Sequence, residues 1–432
     1  MILSVESVSL SIHSHSSESK SAPSDLVSPV ERKPYVVVGT TFAFPDEDEP
    51  SKGRVILIEC SIGPTGSLKM DLENEEPRQV QVVTDLPLNG GIYSIAPFYG
   101  GNILVTVGSK TLLLQLYASD MKPGDVFLNY VGFGHHGHLI SLCVKSLANS
   151  DLALSSWHDN RQLAIVGDLM RSIALIEYYP KHQVIEEVAR DFNSNFCTEI
   201  AMLTNNIYMG SEGHNNLFVL QYNPNAATEQ ARVRLDTVAQ FHLGEMVNKM
   251  IGGTLIMPSS TAGKAGASVN GKVASDKALH QKIDITTGSQ TLYATVDGTI
   301  GSILGLGGKT FAFLNCLQRA MDAIVRPVGD LSRAHFRAWE QEEKKHAACG
   351  FVDGDWVETF LDLNRPTMEQ VVMEMNKDAR WKIQDEGKGF DTQDDSEQNL
   401  IDTDTDAPTS LGATALTVED VLTAVEEMSM LH

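Results

Sequence analysis

The chain has 432 residues, of which 42% are hydrophobic and 21% charged, a composition typical of folded globular proteins rather than disordered ones. Its formal net charge of -23 repels phosphate backbones and disfavours non-specific nucleic-acid binding, since no basic patch is visible in the sequence. No CxxC spacing is present, which favours reduced thiols over disulfides or a metal site. The cysteines are Cys60, Cys143, Cys197, Cys316 and Cys349.

The N-terminal residues alternate apolar and polar side chains and lack the basic and apolar regions of a signal peptide. No apolar run is long enough to span a bilayer, so we expect a soluble protein without membrane attachment. After a first strand, Ser14–Lys33 is rich in serine, proline and charge, and cannot bury enough apolar surface to fold. Residues 1–34 are therefore predicted to be an N-terminal strand and a disordered linker.

From residue 35 to residue 306, short β-rich runs alternate with turns that contain glycine, asparagine, aspartate or proline. The clearest hairpin joins Leu163–Val166 to Ser172–Tyr178 through a turn that contains Gly167 and Asp168. Similar pairs recur, and units of three or four strands repeating at roughly 40–50 residues indicate propeller blades. The predicted fold is mainly β: a partial WD40-like β-propeller of about five blades from a seven-bladed ring. Residues 150–160 and 259–282 are expected to form surface loops.

Beyond residue 306 the apolar period changes from 2 to 3.6, so residues 307–432 are predicted to be a helical C-terminal domain. Thr417 is expected to cap the last helix, and the acidic stretch 385–408 is expected to be a linker. The predicted earlier helices are Thr310–Arg326, Ser332–Lys345, Asp355–Asp362 and Pro366–Met375.

Motifs for enzyme chemistry are weak. Gly305–Thr310, GLGGKT, is similar to a phosphate-binding loop, but Ile303 stands where that signature needs a glycine. The histidines His135, His136 and His138 lie among glycines with no carboxylate nearby in sequence, which favours a solvated loop over a metal site. We therefore expect no enzymatic activity and no cofactor.

Two arginines, Arg171 and Arg190, follow blade elements at turn or strand ends. Each guanidinium could bind a partner's carboxylate or carbonyl groups, or it could be paired within its own blade. Apolar residues at similar positions could join them in a surface of the kind that binds proteins, although each taken singly is more often a core residue. These apolar residues are Ile140, Leu142, Leu169, Phe196 and Met246.

Several motifs resemble those of the damaged DNA-binding protein 1 family, the propeller adaptors of cullin-4 ubiquitin ligases. The likeness extends from about Tyr35 to His432 in the family's order. The motifs are VGDLMRS from Val166, EEVARDFN from Glu186, NNLFVLQ from Asn215, FHLGEMVN from Phe241, TVDGTIG from Thr295, GFVDGDWVETFLDLNRP from Gly350 and EDVLTAVEEMSMLH from Glu419.

The resemblance implies a nuclear and also cytoplasmic adaptor that presents substrate receptors for ubiquitination and serves DNA repair. It implies that WD40-type receptors with a Trp-Asp-x-Arg motif bind the last propeller. This chain departs from the family's pattern at two of the receptor-facing positions. Phe196 stands where the family usually has tryptophan, and Cys143 stands where it often has tyrosine. The receptor-facing positions carried over from the family are Ile140, Leu142, Cys143, Leu169, Arg171, Arg190, Phe196, Thr198, Asn215, Met246 and Asn248.

The family's members are longer than this chain, and the resemblance implies that cullin-4 is held by propellers that are absent here. Damaged DNA would be reached only through a receptor. Because an incomplete ring leaves strand edges unpaired, we expect a fragment, a truncated gene model or a chain that docks onto another. The alternative function is a propeller scaffold of a pre-mRNA cleavage, polyadenylation or splicing complex, and a nucleotide hydrolase using GLGGKT comes third.

Overall fold

The computed structural model describes residues 1–13, 32–61, 79–119, 125–147, 161–254, 287–341, 344–377 and 415–430. The chain forms two compact units. The blade unit contains Met1–Ile251, Tyr293–Ile300 and Arg337–Gly350, and the helical unit contains Gly252–Leu292, Gly301–Phe336 and Phe351–His432. The predicted loops 150–160 and 259–282, the acidic linker 385–408 and most of the serine-rich linker lie outside the described residues.

Blades 1 and 2 are joined into one nine-stranded sheet. Blade 1 consists of β1 (Ile2–His13), β2 (Arg32–Thr41), β3 (Gly53–Ser61) and β4 (Gln79–Leu88). Blade 2 consists of β5 (Ile92–Phe98), β6 (Asn102–Val107), β7 (Lys110–Ala118), β8 (Val126–Tyr130) and the short β9 (His135–His136). The end of β1 pairs parallel to β7, with Ile12 opposite Leu116, and this pairing connects the two blades.

Three further sheets follow in chain order. Blade 3 consists of β10 (Ser141–Ser146), β11 (Gln162–Asp168), β12 (Ile173–Tyr179) and β13 (Val184–Arg190). Blade 4 consists of β14 (Cys197–Met202), β15 (Ile207–Glu212), β16 (Asn216–Tyr222) and β17 (Leu235–His242), with the short helix α1 (Glu229–Arg232) before β17. Blade 5 has three strands, β18 (Val247–Gly252), β19 (Thr287–Thr295) and β20 (Ile300–Leu306). The predicted partial β-propeller of about five blades is confirmed.

Burial explains why the middle strands of blade 3 are nearly continuous apolar runs. A strand covered on both faces has no solvent side that would require alternating polar residues. In β11 and β12, nearly every side chain is buried. Blades 3 and 4 share one core, in which Ile165, Leu175 and Ile200 pack with Phe218.

The helical unit has its own core, and its helix starts follow the sequence signals. α2 (Gly308–Ile324) begins directly after Gly307, so GLGGKT lies at the passage from β20 into a helix. Leu317, Phe360 and Val371 are fully buried. In the part of the chain that the structure describes, no helix is long and apolar enough to cross a membrane. The other helices are α3 (Arg333–Phe336), α4 (Gly354–Glu358), a 3₁₀ turn at Thr359–Asp362, α5 (Arg365–Lys377) and α6 (Val418–Ser429).

The predicted helix Ser332–Lys345 is wrong. Only α3 is helical there, and it is followed by a hairpin of β21 (Trp339–Gln341) and β22 (Lys344–His346). Trp339 is 2% exposed and lies edge-on to Phe218, with ring centroids 6.2 Å apart. Burial of a large aromatic side chain in a blade core outweighs the small differences in helix propensity along this segment.

Candidate protein-binding site

The carried-over residues lie at one end of blades 3 to 5. In a four-stranded antiparallel sheet, the start of the first strand, the turn between the middle strands and the end of the last strand all meet at the same end. We call this surface the loop face. It consists of residues 139–142, 168–172, 190–198, 212–216 and 243–248.

Backbone hydrogen bonds join neighbouring segments of the loop face. Within blade 3, the Leu169 N–H donates to the Ile140 carbonyl over 3.0 Å. Within blade 4, the Gly213 N–H donates to the Phe196 carbonyl, also over 3.0 Å, and between blades 3 and 4 the Ser172 N–H donates to the Asn195 carbonyl over 3.2 Å. The Val296 N–H, in the turn after β19, donates to the Met246 carbonyl over 2.9 Å. The loops therefore present a surface that is largely preorganised.

A buried carboxylate shapes the turn of blade 3. Asp168 accepts hydrogen bonds from the backbone N–H groups of Leu139 (2.6 Å), Met170 (2.9 Å) and Arg171 (3.0 Å). Charge-assisted bonds to backbone N–H groups are stronger than neutral ones. They hold the turn so that the side chains of Leu169, Met170 and Arg171 are exposed.

The two arginines converge on one backbone carbonyl. Arg171 Nη1 and Arg190 Nη2 donate to the Gly137 oxygen over 3.1 and 3.0 Å. Arg190 also forks onto Glu187, with Nε 2.8 Å from Oε1, and this hydrogen bonding raises the pKa of Arg190. Arg190 is therefore paired within its blade, whereas Arg171 keeps an exposed side chain.

The histidine loop is solvated only in part: His136 is exposed, as predicted, whereas His138 is not. His138 is buried, and its Nε2 lies 3.2 Å from His135 Nδ1. His135 Nε2 lies 3.6 Å from a Glu187 oxygen, and His138 Nδ1 lies 3.8 Å from Asp168 Oδ2. The sequence could not show these carboxylates because they come from β11 and β13. Among the residues that the structure describes, no group of histidine, cysteine and acidic side chains is arranged to hold a metal ion.

Burial of His138 predicts a pH-dependent stability. Burial lowers the pKa of His138 from its ordinary 6.5 to about 3, so the unfolded chain binds a proton that the folded chain rejects between these values. The unfolded state then gains stability as the pH falls, and the free energy of unfolding should drop by up to ~1.4 kcal/mol per pH unit below about 6.5. His138→Gln should reduce this slope in urea unfolding measured between pH 7 and pH 5, and the part due to His135, whose pKa burial also lowers, should remain. His182→Gln, at an exposed turn, is the control, and an unchanged slope in His138→Gln would contradict the argument.

The turn of blade 4 is built around a second buried carboxylate. Glu212 is fully buried and accepts hydrogen bonds from His214 Nδ1 over 2.9 Å and from Asn216 Nδ2. Asn215 has φ 66°, and its carbonyl accepts from the Leu243 N–H over 2.9 Å. The Phe196 ring is half-buried at the edge of this turn.

The remaining carried-over residues differ in how far their side chains are exposed. Cys143 is buried, and burial raises the pKa of its thiol well above the usual range, so its side chain is not part of the exposed surface. Leu142 packs against the core of blades 3 and 4, and the Thr198 hydroxyl lies 2.7 Å from that of Ser211. Met246 and Asn248 are exposed.

Several exposed or half-buried residues of the loop face were not singled out from the sequence. The apolar side chains among them could have been found, because an apolar residue in an otherwise polar turn is a visible signal in the sequence. His214 carried no such signal, because its importance depends on the buried carboxylate behind it. These residues are Leu139, Met170, Phe192 and His214.

Together, the blades and the loop face define a propeller-type scaffold. The chain belongs to the family described as the CPSF A subunit region, whose model matches residues 1–362. It is 32% identical over 343 residues to DNA damage-binding protein 1 of Oryza sativa subsp. japonica, which covers 79% of this chain and 26% of that protein.

Two further relatives have similar sequence identity and coverage. DNA damage-binding protein 1a of Arabidopsis thaliana is 31% identical over 344 residues, covering 79% of this chain and 27% of that protein. DNA damage-binding protein 1 of Solanum lycopersicum is 32% identical over 346 residues with the same coverage. The resemblance seen in the motifs is confirmed. The chain spans about a quarter of the length of these curated relatives.

Proposed function

We propose that the protein is a non-enzymatic adaptor of a cullin-4 RING ubiquitin ligase and that its loop face captures WD40-type substrate receptors. The observation that carries the proposal is the set of exposed apolar side chains on the preorganised turns of the loop face, the surface that also carries Arg171. Its members are Leu139, Leu169, Met170, Phe192 and Met246.

Such a surface has the properties of a protein-binding hot spot. Apolar and aromatic groups supply contact area, and an arginine beside them supplies directed hydrogen bonds. Because Asp168 and Glu212 already fix the turns, binding costs little additional ordering of the backbone. Isolated exposed apolar residues need no explanation, but a group at one end of adjacent blades favours a partner.

The proposal extends to the partners of the ligase. Cullin-4 would be bound through propellers other than the blades of this chain, as the resemblance implies. Damaged DNA would be reached through a receptor, in agreement with the net charge of -23, which repels phosphates. The protein would act in the nucleus, and also in the cytoplasm, in ubiquitin-dependent turnover linked to DNA repair.

Receptor capture tests the proposal. Arg171→Ala and Phe196→Ala should each weaken binding of a purified WD40 receptor with a Trp-Asp-x-Arg motif by about tenfold or more, because truncating a hot-spot residue costs ~2 kcal/mol or more and each ~1.4 kcal/mol is tenfold. Biolayer interferometry with the full chain gives the dissociation constants. Lys181→Ala, in the exposed turn at the other end of blade 3, is the matched control. Capture that both variants retain at full strength would refute the assignment.

A second function is favoured by the family description itself, which refers to a CPSF A subunit. In this alternative, the same loop face would bind subunits of a pre-mRNA cleavage, polyadenylation or splicing complex. Affinity purification of the tagged full chain distinguishes the two functions. Recovery of RNA-processing subunits without ligase receptors would favour the alternative.

A further inference from the structure

His214 lies on the loop face between two parts of the proposed receptor surface. Its side chain is 35% exposed, and its ring centroid lies 6.0 Å from that of Phe196, with the rings inclined by 32°. The next residue, Asn215, is one of the positions carried over from the family. A partner that covers Phe196 and Asn215 would therefore also meet the imidazole.

The buried Glu212 fixes which ring nitrogen of His214 carries hydrogen. Glu212 Oε2 lies 2.9 Å from His214 Nδ1. An ionised carboxylate only accepts hydrogen bonds, so Nδ1 must be the donor. In the neutral imidazole the other nitrogen, Nε2, is then an acceptor. No hydrogen bond links Nε2 to any residue in the described part of the chain.

The orientation of Glu212 is itself determined by Asn216. Asn216 Nδ2 donates to the Glu340 backbone carbonyl over 2.9 Å, and a carbonyl cannot donate in return. The amide group of Asn216 is therefore fixed, with Oδ1 facing His242 Nδ1 at 2.8 Å. Its Nδ2 also donates to Glu212 Oε1, which leaves Oε2 for His214.

We propose that His214 is a specificity-determining residue of the loop face, whose Nε2 accepts a hydrogen bond from an N–H or O–H group of the bound protein partner. The inference rests on the proposed function and deepens it. Glu212 acts as a positioning residue, since it is buried and reaches the partner only through the imidazole. The Phe196 ring beside it would cover the apolar part of the partner's donor side chain, which strengthens the hydrogen bond by excluding water.

Glu212→Gln tests whether Nε2 of His214 is a hydrogen-bond acceptor, and it changes the side-chain volume at position 212 very little. The glutamine oxygen must keep facing Asn216 Nδ2, so the glutamine NH₂ faces His214 Nδ1. Two donors cannot face each other, so Nδ1 must lose its hydrogen and Nε2 must gain it. The substitution should convert the exposed acceptor into a donor.

The tautomer is measured on the chain alone. Imidazole ¹H–¹⁵N correlation spectra of the full chain with ¹⁵N-labelled histidine are recorded at neutral pH, and His214→Gln assigns the signal by its loss. The wild-type protein should show hydrogen on Nδ1, and Glu212→Gln should show it on Nε2. A wild-type His214 with hydrogen on Nε2 would overturn the inference.

The effect of the tautomer change on partner binding is measured with the same purified WD40 receptor. His214→Ala and Glu212→Gln should each weaken it by about tenfold, because a partner's donor is left unpaired or meets another donor. His182→Ala, at an exposed turn, should bind as the wild type does.

The outcomes separate the two proposals. If Arg171→Ala weakens capture but neither His214→Ala nor Glu212→Gln does, the inference fails and the proposed function stands. Tighter binding by Glu212→Gln would mean that the partner presents an acceptor, which also overturns the inference. If neither Arg171→Ala nor Phe196→Ala weakens capture, the proposed function fails and the inference fails with it.

Discussion

Replacing Trp339 with alanine is expected to lower the free energy of unfolding of the blade unit by about 3–5 kcal/mol. The side chain is 2% exposed and belongs to the core shared by blades 3 and 4. Its removal would lose the transfer free energy of an indole and leave a cavity beside Phe218. Urea unfolding followed by far-ultraviolet circular dichroism measures the loss.

The matched control for this prediction is Phe133→Ala, because Phe133 is 78% exposed and lies in the same unit. A surface truncation of this kind should stay within about 0.5 kcal/mol of the wild type. Trp339→Phe should fall between the two, since it retains part of the aromatic volume. Equal stability of Trp339→Ala and Phe133→Ala would show that the β21–β22 hairpin does not pack as described.

The elements that the sequence predicted correctly depend on local information. The β11–β12 hairpin follows from two apolar runs around a glycine-aspartate turn, and Gly167 pairs opposite Ile173 in the observed register. The last helix follows from its cap, in which Thr417 and Asp420 form the reciprocal pair of hydrogen bonds of a capping box. In both cases the determining residues lie within a few positions of each other.

The elements that the sequence did not predict depend on distant contacts. The segment from Ser332 resembled a helix because Phe336 and Trp339 are three residues apart, but the position of Trp339 is decided by a blade core over a hundred residues earlier in the chain. His138 was expected to be solvated because no carboxylate lies near it in the sequence. Asp168 comes close to it only in the folded structure.

The residues of the candidate site also divide into those whose placement follows from the local sequence and those whose placement depends on distant contacts. Turn positions such as Leu169 and Arg171 are exposed on the loop face, as turn chemistry indicated. The burial of Cys143 was not visible in the sequence, because a small apolar side chain can occupy either face of β10, the first strand of its sheet. The role inferred for His214 also depends on folding, since the buried Glu212 network needs Glu340 from the distant hairpin.

A second large effect is expected at Gly132, which lies between β8 and β9 of blade 2 and packs against Gln183 of blade 3. Its φ of 60° lies in the left-handed region, where a β-carbon costs about 1–2 kcal/mol. A β-carbon there would also lie 1.7 Å from the Gln183 carbonyl oxygen, far inside van der Waals contact. The same carbonyl accepts the Phe133 N–H over 3.0 Å, so the two segments cannot separate without losing this bond.

Gly132→Ala should therefore destabilise the blade unit by about 3 kcal/mol or more, as backbone strain and overpacking add. Local relaxation is restricted because Gln183 itself has φ 53°, and because the next residue, Val184, begins β13. Gly213→Ala is the control, since its nearest neighbour would be 3.8 Å from the new carbon and its φ is not positive. Urea midpoints of the two variants provide the comparison. If Gly132→Ala were as stable as Gly213→Ala, the close contact between blade 2 and blade 3 at Gln183 would not exist in solution.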